Sequence, residues 1–202
     1  IGLLTVACAR AVGADGTVYA FEPEPAMHAA LAETLKLNGL SWVNLRAEAV
    51  GRKAGLATFY VSPVPGHSSL YPLPAEEASQ GEDLTVRIVR LDDVIPRGGR
   101  LDVIKIDVEG AELDVLAGAA RTLAENPDMA IVVEFGPSHL RRTGITPEAW
   151  FEAFTEHGLY AQEILEPWGH VRPVDMRAIQ AVESANLVFV RPKGAAEARL
   201  AS

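Results

Sequence analysis

Short apolar runs, each followed by a stretch of helical periodicity, dominate this chain, and that alternation leaves few architectures open. Val18-Tyr19-Ala20-Phe21, Val103 to Val108 and Met129 to Phe135 are runs of strand length, almost wholly apolar. Such runs belong to strands buried on both faces, as in a parallel sheet. After the first, Pro23 and Pro25 permit a helix start, and Met27, Leu31 and Leu35 recur at helical spacing until Asn38-Gly39. After the second, Gly110 precedes a helix with Leu113, Leu116, Ala117, Ala120 and Leu123 on one face, ending before Asn126-Pro127. Thr146-Pro147 caps another, carrying Trp150, Phe151 and Phe154, and Gly158 ends it. The alternation predicts an α/β fold, a mostly parallel sheet with helices on both faces.

The remaining segments modify that plan. Leu3 to Val12 reads as a helix and Val43-Asn44-Leu45 as a short strand. Ala57 to Val61 and Leu84 to Val89 read as strands around a long excursion, Pro63 to Glu82, and loops of that length in compact domains are usually functional or disordered. Leu159 to Leu165 and Leu187 to Val190 have no full crossover helix between them, which predicts antiparallel closure. Residues 1–202 are therefore expected to form one domain with a hairpin-and-loop excursion at about 55–91. Because a helix opens the chain, its first strand and glycine turn are expected upstream of Ile1.

A formal charge of −9 argues against a phosphate-tracking surface, so no nucleic-acid partner is expected. Cys8 is alone, which excludes an internal disulfide and makes a reducing, cytoplasmic setting the simpler expectation. No apolar run is long enough to span a bilayer, so no membrane partner is expected either.

In α/β sheets ligands sit beyond the carboxyl ends of the strands. Those positions are acidic here: Glu22, Glu48, Asp107, Glu109 and Glu134. One such acid ordinarily caps a helix, but several at one edge repel and call for a compensating ligand or donors. Glu22 lies twenty residues after Gly2, near the ~20-residue spacing between a glycine turn and a ribose-binding acid. Dinucleotide and S-adenosylmethionine sites share that spacing. A pyrophosphate, however, needs glycine at the helix start, and Leu3-Leu4-Thr5-Val6 supplies none. That lack and the antiparallel ending both favour the sulfonium cofactor.

Val18-Tyr19-Ala20-Phe21-Glu22-Pro23, Ile104 to Glu112 and Val115-Leu116-Ala117-Gly118-Ala119 closely resemble the FkbM-type methyltransferases. Gly66-His67-Ser68-Ser69-Leu70, Leu91-Asp92 and Asn186 to Val190 are similar to further segments of that family. The resemblance implies a seven-stranded Rossmann-like methyltransferase sheet, its first strand missing here, and S-adenosyl-L-methionine as cofactor. It implies that Gly2 ends the cofactor loop, Glu22 holds the ribose, Glu48-Ala49 reads the adenine edge, and Asp107 lies near the methionine end.

The expected reaction is methyl transfer to a hydroxyl oxygen of a small or sugar-like acceptor. An in-line displacement needs positioning, and a hydroxyl acceptor also needs a base. Asp107, His67 and Glu109 are the catalytic candidates, with Glu134 and His139 behind them. Lys105 is expected to pair with an acid. No metal is expected, since His157 and His170 lack a partner at ligand spacing. The rivals are a noncatalytic S-adenosylmethionine-binding module and an NAD-dependent oxidoreductase.

Overall fold

A computed structural model describes residues 1–200. Helix α1 (Leu3–Val12) leads into β1 (Val18–Phe21), and α2 (Pro25–Leu37) connects β1 to β2 (Val43–Arg46). The two strands pair in parallel. The apolar side of α2 is buried through Leu31 and Leu35, against Ala9 of α1 and the strand residues Val18, Ala20 and Val43.

Next come β3 (Ala49–Val50), β4 (Gly55–Val61), α3 (Ala75–Ala78) and β5 (Glu82–Val89). These three strands form a sheet of their own, with β5 central, antiparallel to β4 and parallel to β3. Inside the β4–β5 excursion, Ser69 exchanges backbone hydrogen bonds with Tyr60, so the segment folds back on β4.

The main sheet follows. Helix α4 (Leu91–Val94) precedes β6 (Val103–Ile106). Then come α5 (Glu112–Gly118), α6 (Ala120–Glu125), β7 (Ala130–Phe135), α7 (Pro137–Thr143) and α8 (Pro147–Thr155). The chain ends through β8 (Tyr160–Leu165), β9 (His170–Pro173), β10 (Ala185–Val190) and α9 (Ala195–Leu200). The strand order is β6-β7-β10-β8-β9. β6 and β7 are parallel, whereas β10 runs antiparallel to both its neighbours, the closure that the sequence predicts.

Its core gathers Ile131, Val133, Phe135 and Phe189 from the sheet and Leu116, Leu123, Trp150 and Phe154 from the helices. Phe154 stacks on Phe189 at 4.0 Å, and Trp150 meets Phe135 edge-on at 5.2 Å. Each buried ring is worth roughly 1.5–3 kcal/mol of transfer free energy, against about 0–1 for an exposed ion pair. Aromatic packing, not surface charge, therefore fixes α8 on the sheet.

Among the described residues β1 pairs only with β2, and β6 only with β7, so the ladder is interrupted between them, where the missing first strand is expected. One expectation needs correction. The helix expected from Gly110 to Asn126 is two helices that meet at Ala119, where φ is −113°. A Cβ on Gly118 would sit 2.1 Å from the Gly51 carbonyl oxygen, so α5 touches the neighbouring backbone just before it breaks.

Candidate active site

Glu22 extends β1 by one hydrogen bond, from its own N–H to the Arg46 carbonyl. Its carboxylate Oε1 accepts from the Glu24 N–H at 3.0 Å, which orders the turn into α2. Burial pushes the Glu22 carboxyl above the ordinary carboxylate range, opposed by that N–H and aided by the Glu24 charge. Such a group is relieved by further hydrogen-bond donors. Gly2 caps α1 with φ +80°, and a Cβ there would lie 2.3 Å from Leu31 Cδ1. The left-handed backbone favours glycine there, and a Cβ would also displace the Leu31 side chain. Glu48 pairs with Arg46 at 2.9 Å, and Ala49 is buried in β3.

Asp107 follows β6 and is about half exposed. Lys105 Nζ lies 3.5 Å from its carboxylate, so the lysine does pair with an acid. Two residues on, Glu109 takes φ +51°, which turns the chain sharply, and Gly110 follows at φ +103°. A Cβ on Gly110 would meet the His139 carbonyl and Thr143, each at 3.4 Å. This turn aims the Glu109 side chain away from Asp107 and towards α7.

There Glu109 Oε2 lies 3.0 Å from His139 Nε2, with 12% and 15% of the two side chains exposed. The hydrogen bond that His139 donates to Glu109 holds its imidazole above the ordinary value of 6.5; burial opposes the shift, and the Glu109 and Glu112 charges support it. Glu112 is itself buried, its Oε1 accepting from the Gly110 N–H at 2.8 Å, and burial raises its carboxyl.

His67, in the excursion, holds Glu77 at 3.3 Å, and the Ser62 hydroxyl donates to the same carboxylate at 2.6 Å. The serine bond is the larger cause of a lowered Glu77 carboxyl. The excursion is tied to both strand ends by adjacent serines. Ser68 Oγ donates to the Glu24 carboxylate at 3.3 Å, and the buried Ser69 Oγ donates to the Glu109 carbonyl at 2.8 Å.

His67, Glu77, Glu109, His139, Arg141 and Arg142 consequently line one pocket of about 510 Å³ between the excursion, the turn after β6 and α7. Two expected catalytic residues, His67 and Glu109, meet there. Asp107, Glu22, Glu48, Ala49 and Gly2 lie outside its lining. The sequence ranks His139 behind other candidates and does not single out Arg141 or Arg142 as site residues. Gly136-Pro137 directly after an apolar strand was the available signal, since proline suits the first turn of a helix.

A sheet closed by an antiparallel β10 between β7 and β8, with ordered acids beyond its parallel strands, defines a mixed α/β protein with its candidate site at the carboxyl ends of the strands. Residues 2–161 match the family model of the methyltransferase FkbM domain, and the chain belongs to that family. It is 31% identical over 137 residues to Methyltransferase 1 of Beauveria bassiana (strain ARSEF 2860), covering 58% of this chain and 54% of that protein. Against Methyltransferase sdnD of Sordaria araneosa it is 33% identical over 153 residues, covering 61% and 59% respectively. The chain thus spans less than two thirds of the curated relatives it matches. Its fold is similar to the crystal structure of methyltransferase FkbM from Methylobacillus flagellatus KT. The TM-score is 0.51 at 16% identity, over 93% of this chain and 40% of that one.

Proposed function

We propose that this protein transfers a methyl group from S-adenosyl-L-methionine to a hydroxyl oxygen of a small, metabolite- or sugar-like acceptor. The carrying observation is the Glu109–His139 pair in the wall of a pocket large enough for such an acceptor. S-adenosyl-L-methionine, when bound, supplies an electrophilic methyl group on a sulfonium. Glu22 fits it, being a half-buried carboxylate with one oxygen bonded to Glu24 and the other without a partner among the described residues. Glu22 holds the ribose, Glu48-Ala49 flanks the adenine, and Gly2 and Asp107 lie along the chain of the cofactor.

Glu109 holds His139 by Nε2 and leaves Nδ1 to take the acceptor proton. The imidazolium so formed sits against the Glu109 carboxylate, which stabilises the charge that develops as the oxygen attacks. His67, fixed by Glu77, stands on the excursion side of the pocket and binds the acceptor. Seven strands would form one sheet if a further strand lay between β1 and β6, both of which present an unpaired edge among the described residues.

Calorimetric titration with S-adenosyl-L-methionine, followed by an acceptor screen read as S-adenosylhomocysteine release, tests the proposal. Saturable binding and release with a hydroxylated acceptor are expected. Binding without release by any acceptor would leave a noncatalytic module instead.

A further inference from the structure

Both carboxylates of the pocket have hydrogen-bond partners closer than its arginines. Glu77 is taken up by Ser62 and His67, and Glu109 by His139. The arginines are engaged less closely. Arg141 is exposed and makes no hydrogen bond or ion pair to a described residue. Arg142 is only 12% exposed, its buried Nη1 has no hydrogen-bond partner, and the Glu109 carboxylate is 3.9 Å away. Basic residues suit the last turn of a helix such as α7, but a helix dipole does not supply an acceptor to a buried guanidinium nitrogen. In a chain of net charge −9, an arginine without a partner beside one whose only ion pair is long and without a hydrogen bond at Nη1 marks a place suited to a further negative charge.

We propose that Arg141 and Arg142 recognise an oxyanion, a carboxylate or phosphate, on the molecule that enters this pocket. The planar guanidinium offers two parallel donors to such a group, which a neutral hydroxyl does not match. That the oxyanion belongs to the methyl acceptor rests on the proposed methyl transfer. Binding of an oxyanion at this place does not. Held by α7, the anionic end of the acceptor would leave its hydroxyl facing His139, one turn or less away along the same helix.

The test titrates the protein at low ionic strength with inorganic phosphate and, separately, with succinate, following arginine and histidine side-chain resonances. Saturable shifts at Arg142 and His139 with phosphate assign a phosphorylated ligand, and with succinate a carboxylate. Binding should weaken at least about tenfold in Arg141→Gln and Arg142→Gln, the scale of one charge-assisted hydrogen bond. Arg142→Lys should retain part of it, and Arg100→Gln, which alters an arginine paired with Asp102 elsewhere, should bind as the parent does. Thermal melts show whether each variant folds; if Arg142→Gln does not, the exposed Arg141→Gln decides alone. Failure of both probes to bind, or unchanged binding in Arg141→Gln, overturns the proposal. Anion binding that persists while no acceptor is ever methylated would overturn the methyl-transfer reading and leave this one standing.

Discussion

The Glu109 carboxylate lies 3.0 Å from His139 Nε2, joining the turn after β6 to the helix after β7. Because this bond raises His139 above 6.5, the base form accumulates only at pH above that raised value. The acid limb of kcat/KM is therefore expected above pH 6.5 and should move down in Glu109→Gln. His139→Gln should lower turnover by about 10²–10⁴-fold, the usual worth of a positioned base, with cofactor affinity intact. The stability sign is opposite. A raised folded value means the pair stabilises fully below pH 6.5 and loses that contribution as pH rises through the folded value. A Glu109→Gln profile identical to the parent's would remove the pair from catalysis.

Glu22→Gln keeps the shape of the ribose acid but removes its charge. Affinity for S-adenosyl-L-methionine should fall by roughly 1.5–3 kcal/mol, the range for hydrogen bonds to charged groups. Turnover at saturating cofactor should survive. Calorimetry showing unchanged affinity would take Glu22 out of the site.

Asp92 tests a structural role hidden in a family-like segment. Burial works against its charge, but the N–H groups of Thr122 and Arg121 and the Thr122 hydroxyl outweigh it, holding the carboxyl below 3.8. It thus caps α6 from another element. Asp92→Ala should cost about 1–3 kcal/mol, because buried donors lose their acceptor. The folded value is depressed, so the charge contribution is present above about pH 3.8 and disappears as pH falls through the lower folded value. Urea unfolding at neutral pH and near pH 3 measures both effects; equal loss at the two pH values would contradict the charge argument.

Ser69 is buried, donates to the Glu109 carbonyl and accepts from the Tyr71 N–H at 3.0 Å. Ser69→Ala orphans both and should cost about 1–3 kcal/mol while loosening the pocket wall. Ser68→Ala removes a 3.3 Å bond to Glu24 and one of 3.2 Å from the Ser62 N–H, both longer and less buried, and should cost less than Ser69→Ala. Denaturant midpoints in the reverse order would show that the excursion is not held through Ser69.

The strand pattern was legible because buried strands at Val18, Val103 and Met129 are almost wholly apolar, and acids just beyond them stand out. Helix α7 was not. It has seven residues and only Leu140 is buried, too few for any periodicity to show. His139 and the arginines were thus read without the helix that aims them. β9 carries His170 and Arg172 on an exposed edge and, among the described residues, pairs only with β8, so it lacks the apolar signature of a strand. The break at Ala119 sits beside a contact between Gly118 and Gly51, far away in sequence, which no local pattern records.

Gly136 joins β7 to α7 and gives the sharpest test of His139 placement. Its backbone is extended, φ −141°, so alanine is tolerated conformationally. A Cβ there would nevertheless lie 3.1 Å from both Cε1 and Nδ1 of His139 and 3.3 Å from Nε2. Those contacts are too tight, and the ring must shift by a few tenths of an ångström. It carries the Glu109 bond with it. Stability should change little, within about 1 kcal/mol, since only one partly exposed ring is displaced. Turnover should fall far more than that, because a misplaced catalytic group loses the geometry that makes it effective. The acid limb of the pH profile should also move towards 6.5 as the Glu109 bond lengthens. Gly136→Ala with full activity and an unshifted profile would mean that the ring's position over Gly136 does not matter to the reaction, and that the acceptor proton leaves by another route.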